Sequence, residues 1–115
     1  MNSAGADSVL PFSSGISSYS SVYSTSNVSS ASFTNAEIDK IYLIIGTIRW
    51  TDGGTISFSG FQEIFGTTKS VLSSGMAWWH GYYIKIVKAT STTINATFTK
   101  SSDKSKSALE IYKLS

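Results

Sequence analysis

The chain has no cysteine and a single histidine, His80, among its 115 residues. Without cysteine it can form neither a disulfide nor a thiolate metal site, and one histidine cannot build a histidine-rich zinc site. A serine triad would need His80 as its base, but no G-x-S-x-G motif accompanies it. The sequence therefore predicts a protein without metal, cofactor or catalytic activity.

Charge is also scarce, because charged residues make up 14% of the chain against roughly 25% in an average soluble protein. Serine and threonine take their place, at roughly a third of all residues. The nine basic residues are scattered and the net charge is only +2. Because a nucleic-acid-binding protein normally presents a basic stripe, we expect no nucleic-acid partner.

Long apolar runs and helical periodicity are missing as well. The longest apolar run, Ile41 to Ile45, is far shorter than the roughly 20 residues of a membrane helix, so no membrane insertion is expected. Short strand-like segments recur instead, separated by glycine- and serine-rich turns. This pattern predicts an all-β, antiparallel β-sandwich, jelly-roll-like, as one domain over residues 1–115, with residues 1–8 as a candidate linker or stalk remnant.

The clearest predicted strand is Ile38 to Trp50, which is apolar on both faces and therefore favours a central strand covered on both sides. Asp52-Gly53-Gly54 has the turn chemistry of a tight hairpin. The strand after it, Thr55 to Phe61, alternates with Ile56 and Phe58 inward. A turn is predicted at Phe65-Gly66. The remaining predicted strands are residues 69–72, 82–88, 92–99 and 108–114, with Ile94, Ala96 and Phe98 inward.

Ser8 to Ala36 contains no charged residue and allows two interpretations. It could be a flexible serine-rich linker, or it could form short irregular strands that pack on the domain or on a neighbouring subunit. Bulky apolar residues recur through the segment, which favours ordered strands.

Trp78-Trp79-His80-Gly81-Tyr82-Tyr83 concentrates four large aromatic residues in six positions. If one strand runs unbroken through Gly81, Trp79, Tyr83 and Lys85 share a face, because side chains alternate along a strand. Trp79 and Tyr83 would then be an exposed pair around a shallow slot. A bulge at Gly81 would expose Trp78 and His80 in their place.

Two interpretations of these aromatic residues stay open. They could pack in a core or subunit interface, or they could stack on a sugar ring, since an aromatic face offers a rigid apolar surface. Arg49, Trp50 and Asp52, beside the predicted hairpin, form a second candidate ligand site.

The general build resembles the C-terminal tip domains of phage tail fibres and related receptor-binding proteins. The ending Ala108-Leu109-Glu110-Ile111-Tyr112-Lys113-Leu114-Ser115 is similar to the I-x-I-Y-G-I endings of many fibre tips, with Lys113 in place of the glycine. The paired strands predicted at Tyr82 to Lys88 and Thr92 to Lys100 precede it. Gly5-Ala6-Asp7 followed by Val9 to Gly15 resembles the junction between a collagen-like stalk and a trimeric, tumour-necrosis-factor-like head.

This resemblance implies an extracellular homotrimer at the tail-fibre tip of a virion, which binds a bacterial surface glycan or another host receptor. The alternative is a structural module that trimerises or caps a fibre and has no ligand of its own. A third hypothesis is a glycan-cleaving enzyme that uses Asp52 with Glu63, or Glu37 with Asp39, as its carboxylate pair. Asp52 belongs to a predicted turn, where aspartate is favoured for local hydrogen bonding, and this argues against the enzyme.

Overall fold

A computed structural model describes residues 19–50, 54–72, 79–99 and 107–114, and within them all regular structure is β. Eight strands follow one another along the chain. They are β1 (Ser20–Ser26), β2 (Ser30–Phe33), β3 (Ile41–Trp50), β4 (Thr55–Ser59), β5 (Phe61–Leu72), β6 (Trp79–Ala89), β7 (Ile94–Thr99) and β8 (Ala108–Lys113).

The strands form two antiparallel sheets. The five-stranded sheet has the order β1-β8-β3-β6-β5, and the three-stranded sheet has the order β2-β7-β4. Consecutive strands alternate between the sheets from β1 to β5 and from β6 to β8, which is the strand exchange of a jelly roll. Only β5 and β6 are consecutive strands of the same sheet, and they pair at its edge. The predicted all-β sandwich is confirmed.

The core lies between the two sheets and draws on alternate residues of each strand. Tyr42, Ile44 and Ile48 of β3 are almost completely buried, and Ile94, Ala96 and Phe98 of β7 face them as predicted. The buried hydroxyl of Tyr42 accepts a hydrogen bond from the Glu37 amide at 2.9 Å, which satisfies its polar end.

Several sequence predictions about strands need correction. β3 and β4 lie in different sheets, and so do β6 and β7, so neither the predicted hairpin pairing nor the paired strands of the resemblance form. Asp52 and Gly53 of the predicted turn lie outside the described residues. Phe65 and Gly66 lie inside β5 and not at a turn. β3 is central as predicted, but only one of its faces is covered within this chain, because Leu43 and Ile45 are half-buried on the other.

The serine-rich region is ordered where the structure describes it. β1 pairs with β8 and β2 pairs with β7, so short strands are confirmed from Ser20 onward. Residues 1–18, which include the candidate stalk remnant, lie outside the described residues.

Gly60 makes the passage from β4 in one sheet to β5 in the other. Its φ of +100° lies in the left-handed region, which residues with a side chain rarely adopt. A Cβ atom at this position would lie 2.2 Å from the Thr93 carbonyl oxygen. Both the backbone conformation and the space therefore require glycine.

Gly60→Ala should destabilise the domain by about 2 kcal/mol or more, since it adds backbone strain to a clash with main-chain atoms. Equilibrium urea unfolding measures this change. Gly66→Ala is the matched control, because its Cβ would meet the movable Glu63 carboxylate, and it should cost less than about 1 kcal/mol. Equal losses in the two variants would contradict the role of Gly60.

Candidate functional site

β6 runs without interruption through the aromatic segment. Every residue from Trp79 to Lys88 pairs with β3 without a register shift, so the unbroken strand is confirmed and Gly81 forms no bulge. A register shift in β5 occurs near Ile64 instead. Trp79, Gly81, Tyr83 and Lys85 therefore share one face, as the alternation predicted.

The predicted exposure of Tyr83 is wrong, because its face of the strand points into the sandwich. The Tyr83 hydroxyl accepts a hydrogen bond from the Ile56 amide at 3.1 Å. Its ring packs edge-on against Phe58, with 5.8 Å between the ring centroids. Gly81 is buried, so there is no open slot between Trp79 and Tyr83.

Lys85 also lies on the inward face, at the margin of the core. Its Nζ pairs with Glu63 Oε1 at 2.5 Å and lies 5.6 Å from the centre of the Phe58 ring. The aliphatic stem can cover apolar surface while the ammonium group is neutralised by the carboxylate and the ring face. Lys85 is therefore a packing residue of the sandwich margin.

One end of the five-stranded sheet brings together residues from both predicted sites. The register of β3 and β6 places Trp50 opposite Trp79 and Arg49 opposite His80. Residues directly opposite each other have Cβ atoms about 5 Å apart. We call these four residues the tryptophan end.

Trp79 is the exposed member of the tryptophan end, with 38% of its surface accessible. Arg49 and His80 are half-buried and lie on the opposite face of the sheet. The backbone of Trp50 is placed by its pairing. The other two predicted residues, Trp78 and Asp52, lie outside the described residues.

A second surface, which the sequence reading missed, is the outer face of the five-stranded sheet. Because Tyr83 points inward, its neighbours on β6 point outward, and Tyr82 and Ile84 are each 40% exposed. Phe65 of β5 is 54% exposed beside them. The apolar residues that share this outer face are Leu43, Ile45, Phe65, Tyr82, Ile84, Ile86 and Tyr112.

The outer face carries an apolar groove of about 350 Å³ near β8. Its lining residues are Tyr19, Leu43, Ile45, Tyr112 and Leu114. Tyr19 and Tyr112 meet edge-on at one side, with ring centroids 6.2 Å apart. The Tyr112 hydroxyl donates to Glu110 Oε1 at 3.3 Å, and the negative charge of Glu110 raises the pKa of Tyr112. Tyr112 therefore stays protonated at neutral pH and offers an uncharged wall.

The described residues hold no group of three or more histidine, aspartate or glutamate side chains that could bind a metal ion. In the same part of the chain we find no helix able to span a membrane.

Tyr83→Phe should destabilise the domain by about 1 kcal/mol, because the Ile56 amide loses its acceptor at a half-buried site. Urea unfolding measures the loss. Tyr82→Phe removes the same hydroxyl from the exposed neighbouring position, where water can replace it, and should change stability by less than about 0.5 kcal/mol. The inward orientation of Tyr83 would be contradicted if Tyr82→Phe were the more damaging change.

Comparisons with protein-family models, with curated proteins and with solved structures find no match to this chain. Any function is therefore inferred from its own residues, and the two surfaces that offer one are the tryptophan end and the outer face.

Proposed function

We propose that this chain is a non-enzymatic binding domain whose ligand contacts the tryptophan end. The observation that supports this most directly is the exposure of Trp79 at the same sheet end as Trp50, Arg49 and His80. We further propose that the ligand is a bacterial surface glycan and that the domain acts at the tip of a phage tail fibre, outside the cell.

The chemistry of the tryptophan end suits a sugar. An indole ring is a large flat apolar surface with one polar N–H group, so it can stack on the C–H face of a pyranose and leave the hydroxyls to polar neighbours. Arg49 and His80 offer hydrogen-bond donors at the same sheet end but on the face opposite to Trp79, so a ligand must reach around this end to engage both the indole and these donors. Strands on both sides of β6 hold Trp79, so little conformational entropy is lost when a ligand binds.

The described carboxylates support binding over catalysis. Glu63 is paired with Lys85 and Glu37 with Lys113, while Glu110 accepts from Tyr112. Asp39 lies in a turn with a φ of 72°. A glycosidase needs one carboxylate and one protonated carboxyl facing a common cleft, and the three glutamates serve other contacts.

The assignment to a fibre tip depends on the resemblance of the chain's ending. That ending forms β8, in which Leu109 and Ile111 are completely buried. The apolar alternation of the ending therefore has a folding role that is independent of any ligand.

A structural module is the second candidate function, and the outer face favours it. Seven apolar side chains share one sheet face, and Phe65 among them is more than half exposed, so this face presents a contiguous apolar patch to water. Such a patch is typical of a surface that assembles with another protein chain.

Trp79→Ala should weaken binding to a glycan identified by array screening at least about tenfold, the loss typical of an aromatic contact at the centre of an interface. The affinity is measured with a soluble, monovalent oligosaccharide, so that multivalency does not contribute. Circular dichroism and urea unfolding check that the variant is folded.

Tyr82→Ala is the matched control, because its ring is equally exposed but belongs to the opposite face of β6. It should leave the affinity unchanged. Equal loss in both variants, or undiminished binding by Trp79→Ala, would contradict the tryptophan end as the glycan site.

A further inference from the structure

The outer face carries a protrusion and a matching recess on the same sheet. Phe65 protrudes from β5, on one side of the central β3–β6 pair, and the groove lies on the other side, toward β8. A recess of 150 Å³ is enough to hold a benzene ring, so the groove of about 350 Å³ has room for the Phe65 side chain of another molecule.

We propose that the outer face binds a second copy of this chain, in a dimer whose two-fold axis runs parallel to the strands between β3 and β6. Rotation about this axis places β5 of one copy over β8 of the other and exchanges β3 with β6. Each Phe65 then meets the groove of the second copy. Both recesses are filled by one symmetric contact, as a closed two-fold interface requires.

The same rotation also matches the apolar centre of the face, where β3 and β6 lie side by side. The strand registers set Leu43 beside Ile86 and Ile45 beside Ile84, so the axis brings Leu43 against Ile86 of the second copy and Ile45 against its Ile84. These two pairs are apolar on apolar. Toward the ends of the face the axis sets Thr47 against Tyr82, Ile41 against Lys88 and Arg49 against His80 of the second copy. The two sheets would pack in the aligned manner of a β-sandwich, about 10 Å apart.

Charge also favours this axis. Four residues lie side by side across neighbouring strands of the sheet and form one row. From β8 to β5 they are Glu110, Ile45, Ile84 and Thr67. The rotation places Glu110 over Thr67 of the second copy. Lys69 of that copy is the next outward residue along β5. Among the described residues of these rows, Glu110 is the only carboxylate on the outer face. The proposed axis therefore brings it close to the hydroxyl of Thr67 and the ammonium group of Lys69.

The other aligned arrangement, with the axis perpendicular to the strands, fits poorly. It keeps each strand over its own counterpart, so Phe65 would lie over β5 of the second copy and both grooves would stay empty. With the axis between the levels of Ile84 and Ile86, Phe65 would meet Thr67. Glu110 would lie beneath Tyr112 of the second copy in an otherwise apolar layer, and such burial of a carboxylate is costly.

The size of the face matches a stable dimer. The axis sets four strands of each copy, β8 to β5, over those of the other. At about 4.8 Å spacing and about 33 Å of strand length they give an area of about 630 Å², at the lower end of what each partner contributes to a standard interface. The inferred dimer differs from the homotrimer that the resemblance implies, so the mass in solution distinguishes the two.

An axis parallel to the strands sets both tryptophan ends at the same end of the dimer. If the proposed glycan function holds, the dimer would present two binding sites to one cell surface and gain avidity from their proximity. The dimer itself depends on the outer face alone and does not require that function.

Sedimentation equilibrium over a concentration series tests the dimer on the full chain. The wild type should approach twice the monomer mass of 12.4 kDa, and Phe65→Lys should raise the dissociation constant at least about tenfold. Ile38→Lys is the matched control, because Ile38 is also 54% exposed but lies in the turn before β3, and it should not change association. A monomer at all concentrations, a trimer, or equal weakening by both variants would overturn the proposal.

Cross-linking tests the direction of the axis. Because the chain has no cysteine, the introduced thiols are the only ones that can react. Thr67→Cys and Glu110→Cys are prepared separately, mixed, and treated with a short bifunctional maleimide. The axis parallel to the strands predicts mixed Thr67→Cys with Glu110→Cys products in excess over products of either variant alone. The perpendicular axis would leave these positions about three strand spacings apart, roughly 14 Å, so the absence of mixed products in a sample that sediments as a dimer would overturn the proposed geometry.

The two proposals fail in distinguishable ways. Phe65→Lys should bind the monovalent oligosaccharide as the wild type does, because it leaves the tryptophan end intact. A monomeric wild type that binds glycan would overturn the dimer alone, and a dimer that binds no glycan would overturn the proposed function alone.

Discussion

The contact of Tyr83 with β4 determines which side of the large sheet faces the core. Its hydroxyl accepts from the Ile56 amide and its ring packs on Phe58, which holds the two sheets together at the centre of β6. Because side chains alternate along a strand, this one inward residue turns Tyr82, Ile84 and Ile86 outward. The unbroken register with β3 extends the same division to Leu43 and Ile45, and the pairing of β5 beyond its register shift extends it to Phe65.

This division gives the molecule two surfaces with different chemistry. The tryptophan end combines an exposed indole with a cationic residue and a histidine, and its mixed polarity suits a hydroxylated ligand. The outer face is apolar over several strands and shaped by a protrusion and a groove, and such a surface suits another protein chain. The two surfaces meet at Arg49 and His80, which lie at the end of the outer face, while Trp79 lies on the other face of the sheet, away from the proposed dimer contact.

The fold was largely predictable from the sequence because its signals are local. Alternation at Ile94, Ala96 and Phe98, and at Ile56 and Phe58, identified strands and their inward faces correctly. The connections were not predictable in the same way. Asp52-Gly53-Gly54 has the composition of a hairpin turn, yet β3 and β4 enter different sheets, because sheet membership is decided by long-range packing and not by turn chemistry.

The candidate site was predicted in its parts but not in its orientation. The alternation of Trp79, Gly81, Tyr83 and Lys85 was correct, but both faces of β6 carry large apolar residues, so the pattern could not say which face is buried. Lys85 lies inward although it is charged, because it pairs with Glu63 and lies over the Phe58 ring. Thiol alkylation of Tyr82→Cys and Tyr83→Cys in dilute native solution tests this orientation most directly. Rapid reaction at position 82 with protection at position 83 is the predicted result, and the reverse order would contradict the account.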